Sequence, residues 1–333
     1  MAKIPQRMTM HSISNNSKPP VILPGSASTA LAEEVAAQLE LPVGGVEVRK
    51  FSDSETFVKI DDNIRGRDVF VIQSTSRPTN ETLMELLLFL DASKRASAAR
   101  ITAVVPYFGY ARQDRKDQGR VALSAKLVAN IISASGADRL LTFDLHSGQI
   151  QGFFDIPVDH LLAGPTLVDF ISRAGAEPFC VVSPDVGNVK LARNFADLLH
   201  APLAIVDKRR PAPNISEVMS IIGEEEVRGK NVLIFDDMID TAGTICNASH
   251  ALRERGAKDI YALATHGVLS GPAVERLRQS AIREVIITNT ISQEGRELDP
   301  KIRILSIAPL IAQAIERIHN HKSVSDLFRQ MAH

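Results

Sequence analysis

At 333 residues, 44% of them hydrophobic and 23% charged, the chain has the composition of an ordinary globular protein with room for about two cores. A net charge of −1 supplies no global field for nucleic acid or an anionic membrane, so any anion binding must come from local clusters. Two cysteines, Cys180 and Cys246, show no metal or redox spacing and suit buried thiols in a reducing, cytoplasmic setting; no apolar run nears the roughly 18 residues that span a bilayer.

The first 20 residues lack acids, are rich in Ser, Asn and Pro, and carry Lys3, Arg7 and Lys18 without an amphipathic period, which reads as a disordered tail over residues 1–18. From there strand-like and helix-like segments alternate. Strands are expected at residues 21–23, 69–72, 101–106 and 140–144, with helices at 29–39, 81–96 and 124–135. The second half repeats the theme, with strands at 179–182, 203–206, 232–235, 260–264 and 285–288 and helices at 189–199, 245–254 and 273–279. Such alternation predicts an α/β fold of mainly parallel sheets flanked by helices. A faint internal repeat, RGRDVFVI at Arg65 against RGKNVLIF at Arg228, suggests two similar domains, over residues 19–163 and 164–325. In that alignment Gln73 and Ser74 stand where Asp236 and Asp237 do, so the first domain would lack whatever the acids provide.

The stretch NVLIFDDMIDTAGT at Asn231 carries the most chemistry. An apolar strand ends in Asp236 and Asp237, Asp240 follows, and Thr241, Ala242, Gly243 and Thr244 open a helix. Ligands bind at the carboxyl ends of strands in open α/β sheets, and the amides of a helix N-terminus can cradle a phosphate. The acids suit sugar hydroxyls or a Mg²⁺ beside them. One loop thus offers a phosphate cup and a diol clamp, although a capped turn would use the same residue types. YFGYARQDRK at Tyr107 places Arg112 and Gln113 after another strand, where guanidinium forks suit phosphate oxygens. In TFDLHSGQ, His146 lies beyond a strand end, with Asp144 on the same face of an extended segment to orient the imidazole or share an ion. VVSPDVGN sets Asp185 either as a ligand-edge carboxylate or as a helix cap. VDKRRPAPN, with Lys208, Arg209 and Arg210 before prolines, reads as a mobile basic lid or a solvated charge run. Phe51, Asp53 and Glu55 in FSDSE could meet an adenine or ribose.

Taken in order, these segments, together with IQSTSRPTNETLMELL at Ile72, FDLHSGQIQGFFDIPVDHL at Phe143 and LSGPAVERL at Leu269, resemble the ribose-phosphate pyrophosphokinases. The resemblance spans residues 20–328 and implies two phosphoribosyltransferase-type domains. It also implies transfer of the pyrophosphoryl group of ATP to the C1 hydroxyl of ribose 5-phosphate in a Mg²⁺-dependent cytoplasmic enzyme that is at least dimeric. By position, Asp240, Thr241, Ala242, Gly243 and Thr244 would hold the 5-phosphate, and Asp236 and Asp237 would face the ribose and Mg²⁺. Arg112 and Gln113 would contact ATP; Phe51, Asp53 and Glu55 would reach the adenine of a neighbouring subunit. His146 and Asp185 match Mg²⁺-associated positions, and Lys208 and Arg210 the catalytic loop, Arg210 also reaching ribose 5-phosphate. The chain departs from the family pattern over residues 117–124 and at Asn188, where glycine is usual. A phosphoribosyltransferase would not need the FSDSE and YARQDRK segments, a non-catalytic regulatory subunit should have lost Lys208, Arg210 or His146, and near-zero charge disfavours a nucleic-acid binder.

Overall fold

The computed structural model describes residues 18–173, 179–209 and 218–329; of the expected tail only Lys18 lies within them, and Arg210 with the prolines after it lies outside. The strands of the first half are β1 (Val21–Pro24), β2 (Val46–Lys50), β3 (Thr56–Ile60), β4 (Asp68–Ile72), β5 (Arg100–Val105), β6 (Arg139–Phe143) and β7 (Val158–Leu161). Those of the second are β8 (Phe179–Ser183), β9 (Leu203–Arg209), β10 (Val218–Ile222), β11 (Asn231–Ile239), β12 (Ile260–Gly267), β13 (Glu284–Thr288) and β14 (Ile302–Leu305). Helices α1 (Thr29–Gln38), α2 (Thr79–Arg95), α3 (Ser124–Ala134), α4 (Gly164–Arg173), α5 (Val189–Leu198), α6 (Gly243–Glu254), α7 (Ala273–Gln279), α8 (Ala308–His319) and α9 (Asp326–Arg329) connect and follow them.

The first sheet runs β1-β4-β5-β6-β7 with every pair parallel. The second runs β10-β9-β8-β11-β12-β13-β14, parallel except at its β10 edge. The block β8-β11-β12-β13-β14 therefore repeats the order β1-β4-β5-β6-β7, and β11 takes the place of β4. The weak likeness between the RGRDVFVI and RGKNVLIF segments is thus carried by topologically matching strands. β2 and β3 stand apart as an antiparallel hairpin with Phe51, Asp53 and Glu55 in its turn.

Both faces of each sheet are covered, which is why the strands read as continuous apolar runs rather than alternating ones. In the first sheet Leu23, Val69, Val71 and Ala103 pack against α2 and α3, while Ile22, Phe70, Ile72 and Val104 pack against α1 and α8. In the second, Val232 and Ile234 meet α6 and α7, while Leu233 and Phe235 meet α4 and α5, with Phe195 stacked on Phe235 at 4.0 Å. Helix α8 comes late in the chain yet closes the core of the first sheet, so the segment 164–325 serves both halves.

A polar cluster pins α8 there. Asp68, at the start of β4, accepts from Arg100 and lies 2.9 Å from His319 Nδ1, and Arg100 Nη2 donates to the Ile318 carbonyl at 2.9 Å. Burial works to raise the Asp68 carboxyl, but the hydrogen bonds from His319 and Arg100 outweigh it and hold the group below its ordinary range. Its contribution is complete above the ordinary value of 3.8 and is lost as pH falls through the lower folded value. Asp68→Ala is expected to cost about 3–5 kcal/mol at neutral pH by urea unfolding, because it strands Arg100 and His319. That cost should shrink as the solution is acidified; a difference between wild type and variant that stays constant into strong acid would contradict the assignment.

Candidate functional site

A cleft of about 1050 Å³ opens at the carboxyl ends of the strands and is lined by residues of both halves, among them Arg112, Gln113, His146, Asp185, Asn188 and Asp237. The strand that carries the acids is longer than its apolar run suggests. β11 keeps its ladder past Phe235, pairing Asp236 with Ala264 and Met238 with His266, so both carboxylates sit on the strand and not in the loop after it. The ladder persists because β12 is equally long. The turn that follows has Ala242 at φ 60, and α6 starts at Gly243. The first amides of a helix have no intrahelical acceptor, which suits the loop to an anion. Arg276 of α7 donates to the Thr241 carbonyl at 3.0 Å and puts a further cation beside that loop.

Asp236 and Asp237 are both buried and adjacent, so they cannot be electrostatically alike. Burial, then the neighbouring Asp237 carboxylate, pushes Asp236 up. Burial works most strongly to raise Asp237, but the hydrogen bonds from His146 and Asp236, with the charge of His146, together outweigh it and the net direction is down. His146 Nδ1 lies 2.8 Å from Asp237 Oδ2, and that bond raises the imidazole above its ordinary 6.5 in spite of burial. Asn188, at the start of α5, donates through Nδ2 to Asp236 Oδ1 and lies 3.4 Å from Asp237 Oδ1. Asp185 accepts the Gly187 and Asn188 amides on Oδ1 at 2.8 and 3.1 Å, so it does cap its own turn; its Oδ2 has no partner among the described residues.

Among the described residues two ion pairs cross between the halves at this cleft. His146 to Asp237 is one. Arg112 Nη1 to Asp240 Oδ2 at 2.5 Å is the other, and Asp240 also accepts from Ser270. The loop bearing Arg112 is held close to the first sheet because Gly109 donates to Thr75 Oγ1 at 2.7 Å; a Cβ there would fall 2.3 Å from the Thr75 carbonyl oxygen. Gln113 lines the cleft while its Oε1 accepts from Ser124.

The expectation that Asp144 orients His146 is corrected. β6 ends at Phe143 and Asp144 has φ 31, so the two-residue alternation of an extended segment breaks there. The Asp144 carboxylate is buried between the halves, where Oδ2 accepts from Ala163 N at 2.8 Å and Thr265 Oγ1 at 2.7 Å. Burial raises it to about 6. Beside it His266, lowered to about 4 by burial, donates from Nε2 to the Asp144 carbonyl at 3.2 Å. Asp237, from the other half, is what orients His146 instead.

The hairpin turn bearing Phe51, Asp53 and Glu55 does not line the cleft: Phe51 packs edge-on to Phe57 with Arg49 stacked on both rings, and Asp53 accepts the Glu55 amide at 3.1 Å. Lys208 lies on β9, its backbone paired with Met219 of β10, and Arg210 lies outside the described residues. Sequence reasoning missed the roles of Asn188, Thr265 and His266, whose side-chain contacts are all long-range; the only signal was that Asn188 departs from a glycine pattern. Asp237→Asn should return the His146 titration, followed by its ring proton resonances in the metal-free protein, downward toward the ordinary value. An unshifted titration would remove Asp237 as its partner.

Comparison with known proteins bears on this cleft. The model for the N-terminal domain of ribose phosphate pyrophosphokinase matches residues 20–136, and that for the phosphoribosyl synthetase-associated domain matches residues 210–329. A ribose-phosphate pyrophosphokinase of Clostridium tetani is 56% identical over 310 residues, covering 92% of this chain and 96% of the relative. One of Hyphomonas neptunium is 56% identical over 306 residues, covering 91% and 97%. The crystal structure of phosphoribosylpyrophosphate synthetase from Mycobacterium smegmatis superposes with a TM-score of 0.84 at 45% identity, covering 91% of this chain and 100% of that one.

Proposed function

Because the chain belongs to the ribose-phosphate pyrophosphokinase family, we propose that its cleft transfers the pyrophosphoryl group of ATP to the C1 hydroxyl of ribose 5-phosphate, giving phosphoribosyl pyrophosphate and AMP. One observation carries the assignment to this cleft: the acids of β11 and its turn are engaged, across the two halves, by His146 and Arg112 from the loops of the first sheet. Sugar-side and nucleotide-side groups therefore meet at a single place.

On the sugar side, Asp236 and Asp237 accept the ribose hydroxyls, and the turn of Asp240, Thr241, Ala242, Gly243 and Thr244 receives the 5-phosphate on its amides. Arg112 and Gln113 meet the ATP phosphates, which requires Arg112 to exchange Asp240 for phosphate oxygens. Phe51, Asp53 and Glu55 serve the adenine of a neighbouring copy, so the working unit is at least a dimer; an exposed turn away from its own cleft supports that reading. Lys208 and Arg210 bring positive charge to the transferring group, Arg210 also to ribose 5-phosphate, and close the site against water.

The donor set fits Mg²⁺. Asp185 Oδ2 and His146 Nε2 line the cleft without partners among the described residues, and no three metal-binding side chains cluster there, as suits an ion that keeps waters and shares phosphate oxygens. When bound, Mg²⁺ would neutralise charge on the ATP phosphates. No helix among the described residues is long and apolar enough to cross a membrane, and the two cysteines are buried and unbridged, which supports a cytoplasmic enzyme.

Phosphorus NMR of the protein with ATP, ribose 5-phosphate and Mg²⁺ should show AMP appearing together with a sugar-bound pyrophosphate. Intact ATP in the presence of folded protein would refute the assignment. Lys208→Ala is expected to lower turnover by about 100-fold or more while both KM values stay within about threefold, since the group acts on the transition state. Near-normal turnover in that variant would take Lys208 out of the chemistry.

A further inference from the structure

We propose that Asn188 is a positioning residue for the sugar site: its side-chain amide, reaching from the start of α5, holds the Asp236 and Asp237 carboxylates in the orientation that receives the ribose hydroxyls. This rests on the assignment of those acids to the sugar.

Three features of the cleft carry it. First, Asn188 Nδ2 and the Asp237 amide, the latter at 2.9 Å, converge on the same oxygen, Asp236 Oδ1. Those two donors fix that oxygen and with it the plane of the Asp236 carboxyl beside Asp237. Second, Asn188 holds two elements at once. Its backbone amide donates to Asp185 at 3.1 Å, in the loop after β8, while its side chain reaches β11. β8 and β11 are hydrogen-bonded neighbours, paired from Asn231 opposite Phe179 to Ile234 opposite Val182, so that reach is short and its geometry is set by the sheet. Third, the backbone of Asn188, at φ −99 and ψ 11, lies in the bridge region at negative φ, where residues with side chains are found. The position therefore makes no demand for glycine, and its chemistry lies in the side chain. An amide suits it because one NH₂ offers two donors to two carboxylates and adds no charge to a site crowded with acids.

The test is steady-state kinetics of the full chain with ATP, ribose 5-phosphate and Mg²⁺, comparing N188A, N188S, D236N and the N188A/D236N double variant, each with a thermal unfolding control. N188A should raise the KM for ribose 5-phosphate about tenfold, the value of a hydrogen bond to a charged group, with the KM for ATP within about twofold. N188S, which keeps a donor, should recover part of the loss. On a D236N background the N188A change should add little, because the group through which it acts is already altered. An unchanged ribose 5-phosphate KM in N188A, or a penalty that multiplies fully with that of D236N, overturns the positioning role. If N188A fails to fold, N188S decides: a rise in the ribose 5-phosphate KM alone that adds little on the D236N background supports the role, and an unchanged ribose 5-phosphate KM or equal rises in both KM values overturn it. D236N with a normal ribose 5-phosphate KM would instead overturn the sugar-side assignment itself.

Discussion

Two adjacent carboxylates buried on one strand are the constraint around which the cleft is organised. A buried anion is costly unless it is paired or hydrogen-bonded, and two side by side are more so. The chain meets the cost from both directions. His146 comes from the loop after β6 to Asp237, and Asn188 comes from the start of α5 to Asp236. Asp240, just past the end of β11, is met by Arg112 from the loop after β5. The same charges that would bind a sugar and organise cations thus draw the loops of the two halves together.

Those ties need a frame that does not slide. Buried polar contacts between the halves provide it: Ser74 donates to the Thr290 carbonyl, Thr265 to Asp144, and His266 to the Asp144 carbonyl. Satisfied networks of this kind are specific because each member left unpaired would be costly. The repeated topology explains their location. Gln73 and Ser74 occupy in the first sheet the place that Asp236 and Asp237 hold in the second, and there they bind protein: Gln73 Oε1 accepts the Ala27 amide at 3.0 Å, and Ser74 reaches across to β13's following loop. One strand end carries acids at the cleft, and the other is a structural joint.

Much of this was legible in the sequence, for physical reasons that also mark where reading stops. Parallel strands covered on both faces give short apolar runs, so β4, β5, β8 and β11 stood out. Strands with exposed or polar positions, such as β2, β10 and β14, did not. The length of β11 was misjudged because two aspartates look like the end of a buried strand, whereas here each is satisfied by a long-range partner. Asp144 was placed beside His146 by period-two reasoning, which fails at a residue with φ 31. No helix is expected from the sequence over residues 308–319, and nothing local marks one as packing on a sheet formed some 200 residues earlier; Ile315 of α8, for example, buries against the cluster that holds Phe70.

The central claim is that the sugar sits against the β11 acids while the nucleotide comes from the loops of the first sheet. A crystal structure with ribose 5-phosphate and a non-transferring ATP analogue tests it most directly. The expected result is ribose hydroxyls on Asp236 and Asp237, the 5-phosphate on the turn before α6, and Arg112 released from Asp240 onto the nucleotide phosphates. Sugar density away from β11, or an Arg112–Asp240 pair that stays intact with both ligands bound, would contradict it.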